Sequence, residues 1–338
     1  MSYNISQPKD NLTQTPEASL AHQAVLLRET VAAVLGLKSL EKQQAKASGI
    51  YVDATFGRGG HSRLLLNHLA PDAQLLVFDK DPEAIEVANK LAATDSRVTV
   101  IHDSFATLQA RLAELGIDKV SGLMADLGVS SPQLDDGSRG FSFMRDGAVD
   151  MRMDTTRGQP VSAWLEAVDA DTLADVLYEF GEERHSRRIA RAIKAMGSYE
   201  STLELAEVIK TAHPNWQKGK HPATQSFQAM RIFINNELGD VDAFLEQSIE
   251  VLAPEGWLAV ISFHSLEDRR IKQFLQRHSK GQYPEDQNLP MPPDRPRYFS
   301  KPKRIGPSKA EIADNPRSRS AWLRVAQRST EAFLPAAT

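Results

Sequence analysis

The stretch Gly49-Ile50-Tyr51-Val52-Asp53-Ala54-Thr55-Phe56-Gly57-Arg58-Gly59-Gly60-His61-Ser62 constrains the fold of this chain more than any other. Ile50 to Val52 is the short apolar run of a buried strand end. Three glycines follow, and Ser62-Arg63-Leu64-Leu65-Leu66 opens a helical pattern. Glycines at a strand-to-helix turn let the backbone pass close to a ligand and aim free N–H groups at it. The next apolar run, Leu75 to Phe78, closes on Asp79. An acid about 20 residues past a glycine turn is placed to accept hydrogen bonds from ribose hydroxyls. Turn and acid together predict a nucleoside site. A dinucleotide fold would place a third glycine where Ser62 stands and keep the helix N-terminus for a pyrophosphate. Asp53, ahead of the glycines, instead suits a cofactor with an amino group and no phosphates, such as S-adenosylmethionine.

Strand and helix patterns alternate from there. Helix follows at Leu64–Leu69, strand at Leu75–Asp79, helix from Asp81-Pro82-Glu83, strand at Arg97–His102, helix at Leu108–Leu115 and strand at Val120–Ala125, ending at Asp126. Such alternation predicts a parallel sheet wound with helices, with ligands at the carboxyl ends of the strands. Asp53, Asp79, Phe105 and Asp126 all fall there. The alternation stops at Asp135. Up to His221 there are only helical patterns, at 161–168, 171–180, 182–196 and 202–212, after an irregular stretch around Arg139–Asp146. The sheet is expected to resume with Trp257–Phe263, and last strands are expected around Tyr298–Phe299 and at Trp322–Ala326. The division expected is a disordered tail over 1–21, a first catalytic part over 22–134, a helical insertion over 135–221, a second part with a basic region over 222–328, and a tail over 329–338.

The net charge of −4 conceals a contrast. Arg269 to Lys309 holds 11 Lys/Arg and 3 Asp/Glu, a net of +8, so the remainder carries −12. A basic stretch on an acidic body suggests a local polyanion site. The chain has no cysteine, which excludes disulfides, thiolate metal sites and cysteine nucleophiles. No apolar run approaches the ~20 residues of a membrane span and no signal peptide is evident. A cytoplasmic protein is expected, with no membrane partner and no metal site.

Asp126 is the first candidate for chemistry. A carboxylate at a strand end can hold an exocyclic amine in line with a sulfonium methyl and offset the charge that develops. The competing reading is an Asp that caps the following turn. His264, in Ser262-Phe263-His264-Ser265-Leu266-Glu267-Asp268-Arg269, is a candidate for substrate positioning at the same sheet edge. Phe105 and Phe263 are candidates for stacking on a base or for the core. Arg184, Arg187, Arg188, Arg191 and Lys194 recur at helical spacing, either tracking phosphates or forming a solvated face neutralised by Glu179, Glu182 and Glu183. Met144, Met151 and Met153 are expected in the core.

Four segments, Asp53 to Ser62, Asp126 to Asp135, Arg139-Gly140-Phe141-Ser142-Phe143 through Met151-Arg152-Met153-Asp154, and Ser262 to Arg269, resemble the MraW (RsmH) family of bacterial methyltransferases that act on N4 of cytosine 1402 in 16S rRNA. The likeness runs from about His22 to Arg328. Ala24 stands where that family often has proline. The resemblance implies an α/β, Rossmann-like methyltransferase sheet with an inserted helical domain for substrate recognition. It implies an S-adenosylmethionine site made by Gly59, Gly60, His61, Asp79, Phe105, Asp126 and Gln133, His61 and Gln133 resting on the resemblance alone. The implied partner is 16S rRNA in the small ribosomal subunit. Oligomeric state is left open, a homodimer included. The absence of a thiol argues against C5 methylation of cytosine, which needs a nucleophile at C6. The alternatives are a non-catalytic RNA-binding or assembly factor on a methyltransferase scaffold and a nicotinamide-dependent oxidoreductase.

Overall fold

Strand residues alternate between two apolar surfaces, and this alternation builds the sheet. The computed structural model describes residues 24–214, 221–283, 286, 288–291 and 293–333. The expected tail over 1–21, and the start of order at His22, lie outside the described residues. Seven strands, β1 (Ile50–Asp53), β2 (Gln74–Asp79), β3 (Val98–His102), β4 (Val120–Asp126), β5 (Leu252–Ser262), β6 (Lys303–Ile305) and β7 (Trp322–Gln327), form one sheet in the order β3-β2-β1-β4-β5-β7-β6. The first five are parallel; β7 runs antiparallel to both β5 and β6. Tyr51, Leu75, Val77, Met124, Ala259 and Ile261 face one core, shared with α1 (Leu27–Val34), α2 (Gly60–His68) and α3 (Pro82–Ala92). Val52, Leu76, Phe78, Leu123, Leu258 and Val260 face the other, where α4 (Leu108–Glu114) packs. That period of two places helices on both faces, as a parallel sheet requires.

After β4 come a one-turn helix α5 (Ser131–Asp135) and the helical group α6 (Val161–Ala167), α7 (Ala170–Gly181), α8 (Ser186–Lys194), α9 (Thr202–Ala212) and α10 (Ala223–Ile234). These enclose a third core around Trp164, Leu177, Ile193 and Phe227. Ala223, Phe227, Ala229 and Met230 of α10 belong to that core, so the helical group runs past residue 221. The chain returns to the sheet through α11 (Glu237–Val251). Then follow α12 (Ser265–Lys280) after β5, and α13 (Lys309–Asp314) between β6 and β7.

Three sequence expectations are corrected. The helix expected over 182–196 begins only at Ser186, because Glu182 adopts a left-handed backbone and the Glu183 carboxylate accepts the His185 N–H at 2.8 Å. Around Tyr298–Phe299 there is only an isolated bridge from Phe299 to Arg328; the edge strand is Lys303–Ile305. Met151 is fully buried, but Met144 is 80% exposed rather than in the core.

Candidate active site

The carboxyl ends of β1 to β5 surround a cavity of about 380 Å³, a volume suited to a small organic ligand. Its floor is the turn from β1 into α2. Gly59 has φ +78°, and a Cβ there would lie 2.6 Å from the Phe56 ring. Gly57, at φ +55°, has open space where a Cβ would point. Asp53 does not line the cavity. Its Oδ2 accepts the Ser62 hydroxyl at 2.6 Å and its Oδ1 accepts the Thr55 N–H at 3.2 Å. This acid therefore fastens the turn rather than meeting an amino group, and Ser62 contributes that bond where a dinucleotide fold has glycine. Burial raises the Asp53 pKa to about 6.

Asp79 ends β2 and lines the cavity. Its Oδ2 accepts the Gly57 N–H at 2.7 Å and its Oδ1 the Asp81 N–H at 2.9 Å. Each oxygen keeps a second lone pair for a ligand hydroxyl. Burial raises this pKa to about 6 as well. Phe105, just after β3, borders the same space and is held edge-on against Phe244, with centroids 5.5 Å apart. His61 is buried in the first turn of α2, and burial lowers its pKa to about 4. Its Nε2 meets Val25 O at 3.1 Å, so the neutral ring turns Nδ1 toward Asp126 Oδ2, 3.8 Å away.

Asp126 is the most exceptional group. Its backbone N–H donates to Thr55 Oγ1 at 2.6 Å, which ties the end of β4 to the glycine turn. Its Oδ1 is buried and has no hydrogen-bond partner among the described residues. Burial first, then the nearby Asp53 and Glu267 charges, push its carboxyl well above the usual range. A capping role does not account for this side chain, since a cap would be satisfied by turn N–H groups. An orphaned carboxyl oxygen in a cavity wall fits a ligand donor.

Gln133 borders the cavity with both ends engaged. Oε1 accepts the Ser130 N–H at 2.8 Å and Nε2 donates to Asp81 Oδ2 at 2.7 Å. Asp81 caps α3 and also receives Arg139 Nη1 at 3.0 Å, a buried pair. His264 caps α12 and borders the cavity, with Nε2 3.0 Å from Glu267 Oε1. Burial opposes the charge on Glu267, but His264 and the Phe263 N–H hold its pKa below the ordinary value.

The structure thus brings Gly60, His61, Asp79, Phe105, Asp126, Gln133 and His264 to one cavity, whereas Gly59, in the turn itself, does not line it. It leaves the arginines outside. Arg187, Arg188 and Arg191 are exposed on α8, and Arg184 lies before it beside a surface hollow shared with Tyr178 and Arg269. Two of the three glutamates expected to neutralise them are occupied elsewhere: Glu182 binds Arg269 and Ser265, and Glu183 binds the His185 N–H; Glu179 lines the same hollow as Arg184. Sequence reasoning missed Arg231 and Glu237, which roof the cavity as a buried pair. Their signal was faint: an arginine in the last turn of a helix is commonplace.

Such a cavity, in such a sheet, defines an S-adenosylmethionine-dependent methyltransferase. The glycine cradle, the free lone pairs of Asp79 and the unpartnered oxygen of Asp126 suit a nucleoside with a cationic head. Within that class the chain belongs to the MraW methylase family, whose model matches residues 19–329. It is 77% identical over 325 residues to the ribosomal RNA small subunit methyltransferase H of Psychrobacter arcticus, covering 94% of this chain and 97% of that one. To the protein of the same name from Acinetobacter baylyi it is 54% identical, covering 91% and 99%. Among solved structures it is similar to an rRNA methylase from Streptococcus thermophilus, at 10% identity and a TM-score of 0.38, covering 90% and 94%. No described helix is long and apolar enough to cross a membrane.

Proposed function

We propose that this protein methylates the exocyclic N4 amine of cytosine 1402 in the 16S rRNA of the small ribosomal subunit, in the cytoplasm. The observation that carries the reading is the unpartnered Oδ1 of Asp126, at the point where the glycine turn and the end of β5 meet. Family membership and the names of the relatives support ribosomal RNA as substrate. The lack of any cysteine supports the amine over ring C5.

The cofactor supplies an electrophilic methyl on a sulfonium sulfur. When bound, it would be held by Asp79 at the ribose hydroxyls and by Phe105 against the adenine, in a wall shaped by Gly60, His61 and Gln133, with Gly59 forming the turn beside it. Asp126 does the chemical work of the chain. A cation beside it favours its carboxylate form, which accepts one N4–H and turns the nitrogen lone pair toward the methyl. Accepting the methyl, with the donor left as a neutral thioether, would make the amine cationic. Asp126 takes its proton, and a carboxylate with a raised pKa is a competent acceptor. The helical insertion over 135–221, with Arg184, Arg187, Arg188 and Arg191, contacts RNA phosphates, and His264 positions the nucleotide.

Asp126→Asn tests this. It keeps the shape but removes the proton acceptor, and transfer to unmodified small subunits should fall by roughly 10²–10⁴-fold while the melting temperature holds. An unchanged rate, or a methyl mapped by mass spectrometry to another atom, would refute the reading.

A further inference from the structure

A second opening lies just outside the catalytic cavity and shares two of its walls. It is the surface hollow, of about 560 Å³, where the last turn of α7 meets α10 and the start of α12. Its walls are fixed by contacts. Gly181 lets α7 close on α10, since a Cβ there would lie 2.5 Å from Gln225 O. Glu182 ties α7 to α12, accepting Arg269 Nη2 at 2.9 Å and the Ser265 hydroxyl at 3.1 Å. Around the start of α12, His264 and Glu267 line the cavity while Leu266, between them in sequence, lines the hollow. Two residues of chain reach at most about 7 Å, so the openings are neighbours. Along α10, Gln225 lines the hollow and Arg231 the cavity, separated by about 9 Å of helix.

The chemistry of the hollow suits a nucleobase. Tyr178 is 64% exposed, and its side chain makes no hydrogen bond or ring contact among the described residues. Its open ring is a stacking face with a polar tip. Arg184 and Arg269 are matched by Glu179 and Glu182, so the lining carries no net charge and does not favour a phosphate. It offers a π face with donors and acceptors at its margin, as the face and edge of a base require. The unbalanced charge lies next to it, on α8, where the exposed Arg187, Arg188 and Arg191 have no acidic partner among the described residues. We propose that the hollow receives the base next to the methylated one in a single-stranded segment of RNA, stacked on Tyr178, while the α8 arginines hold the adjoining phosphates. The inference rests on the function proposed above and adds a substrate contact to it. An enzyme that acts on a base must take it out of its stack, and the neighbouring base thereby loses a stacking partner. Tyr178 replaces that partner beside the cavity. Every base has a π face, so the hollow holds the neighbour without selecting it.

The test uses the full chain and small ribosomal subunits lacking the modification. Tyr178→Ala should raise KM for subunits roughly fivefold to a hundredfold, with kcat and S-adenosylmethionine affinity within about twofold of the parent. Tyr178→Phe keeps the ring and should keep the parent's KM. The side chain is exposed, so both variants should melt with the parent. Stacking releases no counterions, so Tyr178→Ala should leave the salt dependence of subunit binding unaltered, whereas Arg187→Gln/Arg188→Gln should flatten it. Ultraviolet crosslinking of the parent to subunits, read by mass spectrometry, should join Tyr178 to a nucleotide adjacent to the methylated one. A parent-like KM for Tyr178→Ala, an equal loss in Tyr178→Phe, or a crosslink from Tyr178 to a ribosomal protein overturns the assignment. A salt dependence flattened by Tyr178→Ala and untouched by the arginine changes overturns it as well. Mapping the parent's product separates the two readings: a methyl on N4 with an indifferent Tyr178→Ala defeats only the hollow, whereas a methyl elsewhere defeats the function itself.

Discussion

Asp79 shows how one side chain couples charge, solvation and ligand. Burial lifts its pKa to about 6 although the backbone N–H groups of Asp81, Gly57 and Lys80 stabilise the anion. In the free protein the neutral form therefore persists up to about pH 6, and stability falls as pH rises from about 4 through 6, because the folded state holds the proton longer than the unfolded chain. Asp53, also at about 6, pulls in the same direction. A ribose hydroxyl donates best to the ionised carboxylate. S-adenosylmethionine affinity should accordingly increase between pH 5 and 7. Asp79→Asn should weaken binding by roughly tenfold to a hundredfold and flatten that profile in calorimetric titrations. A mutant with the parent's affinity and pH profile would remove Asp79 from the site. The acid was legible in the sequence because it closes an apolar run at a set distance from a glycine turn. Arg231 was not, because what marks it is its pairing with Glu237 across a helix junction.

At the scale of elements, the turn from β1 to α2 separates two uses of glycine. Gly59 needs its positive φ and has the Phe56 ring 2.6 Å from where a Cβ would be. Gly59→Ala should cost about 1–2 kcal/mol from the left-handed backbone alone, with more from the contact, and lower the melting temperature by several degrees. Gly57 lines the cavity and meets nothing within 4 Å. Gly57→Ala should cost less stability but more cofactor affinity, because the added methyl enters ligand space. Thermal melts and titrations of both variants check the contrast; identical behaviour would contradict it. Strands β1 to β5 were readable because each is an apolar run punctuated by glycine, proline or an acid. Strand β6, Lys303-Arg304-Ile305, was not: a charged edge strand carries little apolar signal, and its partner β7 supplies the register. Helix α10 completes the third core with Ala223, Phe227, Ala229 and Met230, and its helical pattern follows the insertion without a strand signal to mark where the sheet part resumes.

Across the whole molecule, the helical group is bolted to the sheet by buried polar contacts. Arg139 reaches Asp81 at 3.0 Å and Glu83 at 3.2 Å and also donates to the carbonyls of Arg152 and Met153. Lys80, just after β2, donates to Asn235 O at 2.9 Å, and within the helical group the Asn235 side chain joins Met151 O and the Met153 N–H. Arg139→Gln would leave the Asp81 carboxylate in the interior without its cation and should destabilise the protein by about 3–5 kcal/mol. Scanning calorimetry should then show two transitions where the parent shows one. A single transition at the parent's temperature would mean that the pair does not couple the two parts. The two-part plan was visible from where strand signals cease, but the contacts joining the parts join residues far apart in the chain.

Strands β4 and β5 lie side by side, with Asp126 beside Ile261, yet the whole stretch from 127 to 251 emerges between them. A ribosome translating this message releases the left wall of the crevice long before the right one. Closing so long a loop is entropically costly unless its contents have already condensed. Maturation of the catalytic chamber is consequently gated by the folding of the helical group. A nascent chain halted partway would carry a donor pocket with one wall missing and no means of gripping a nucleotide.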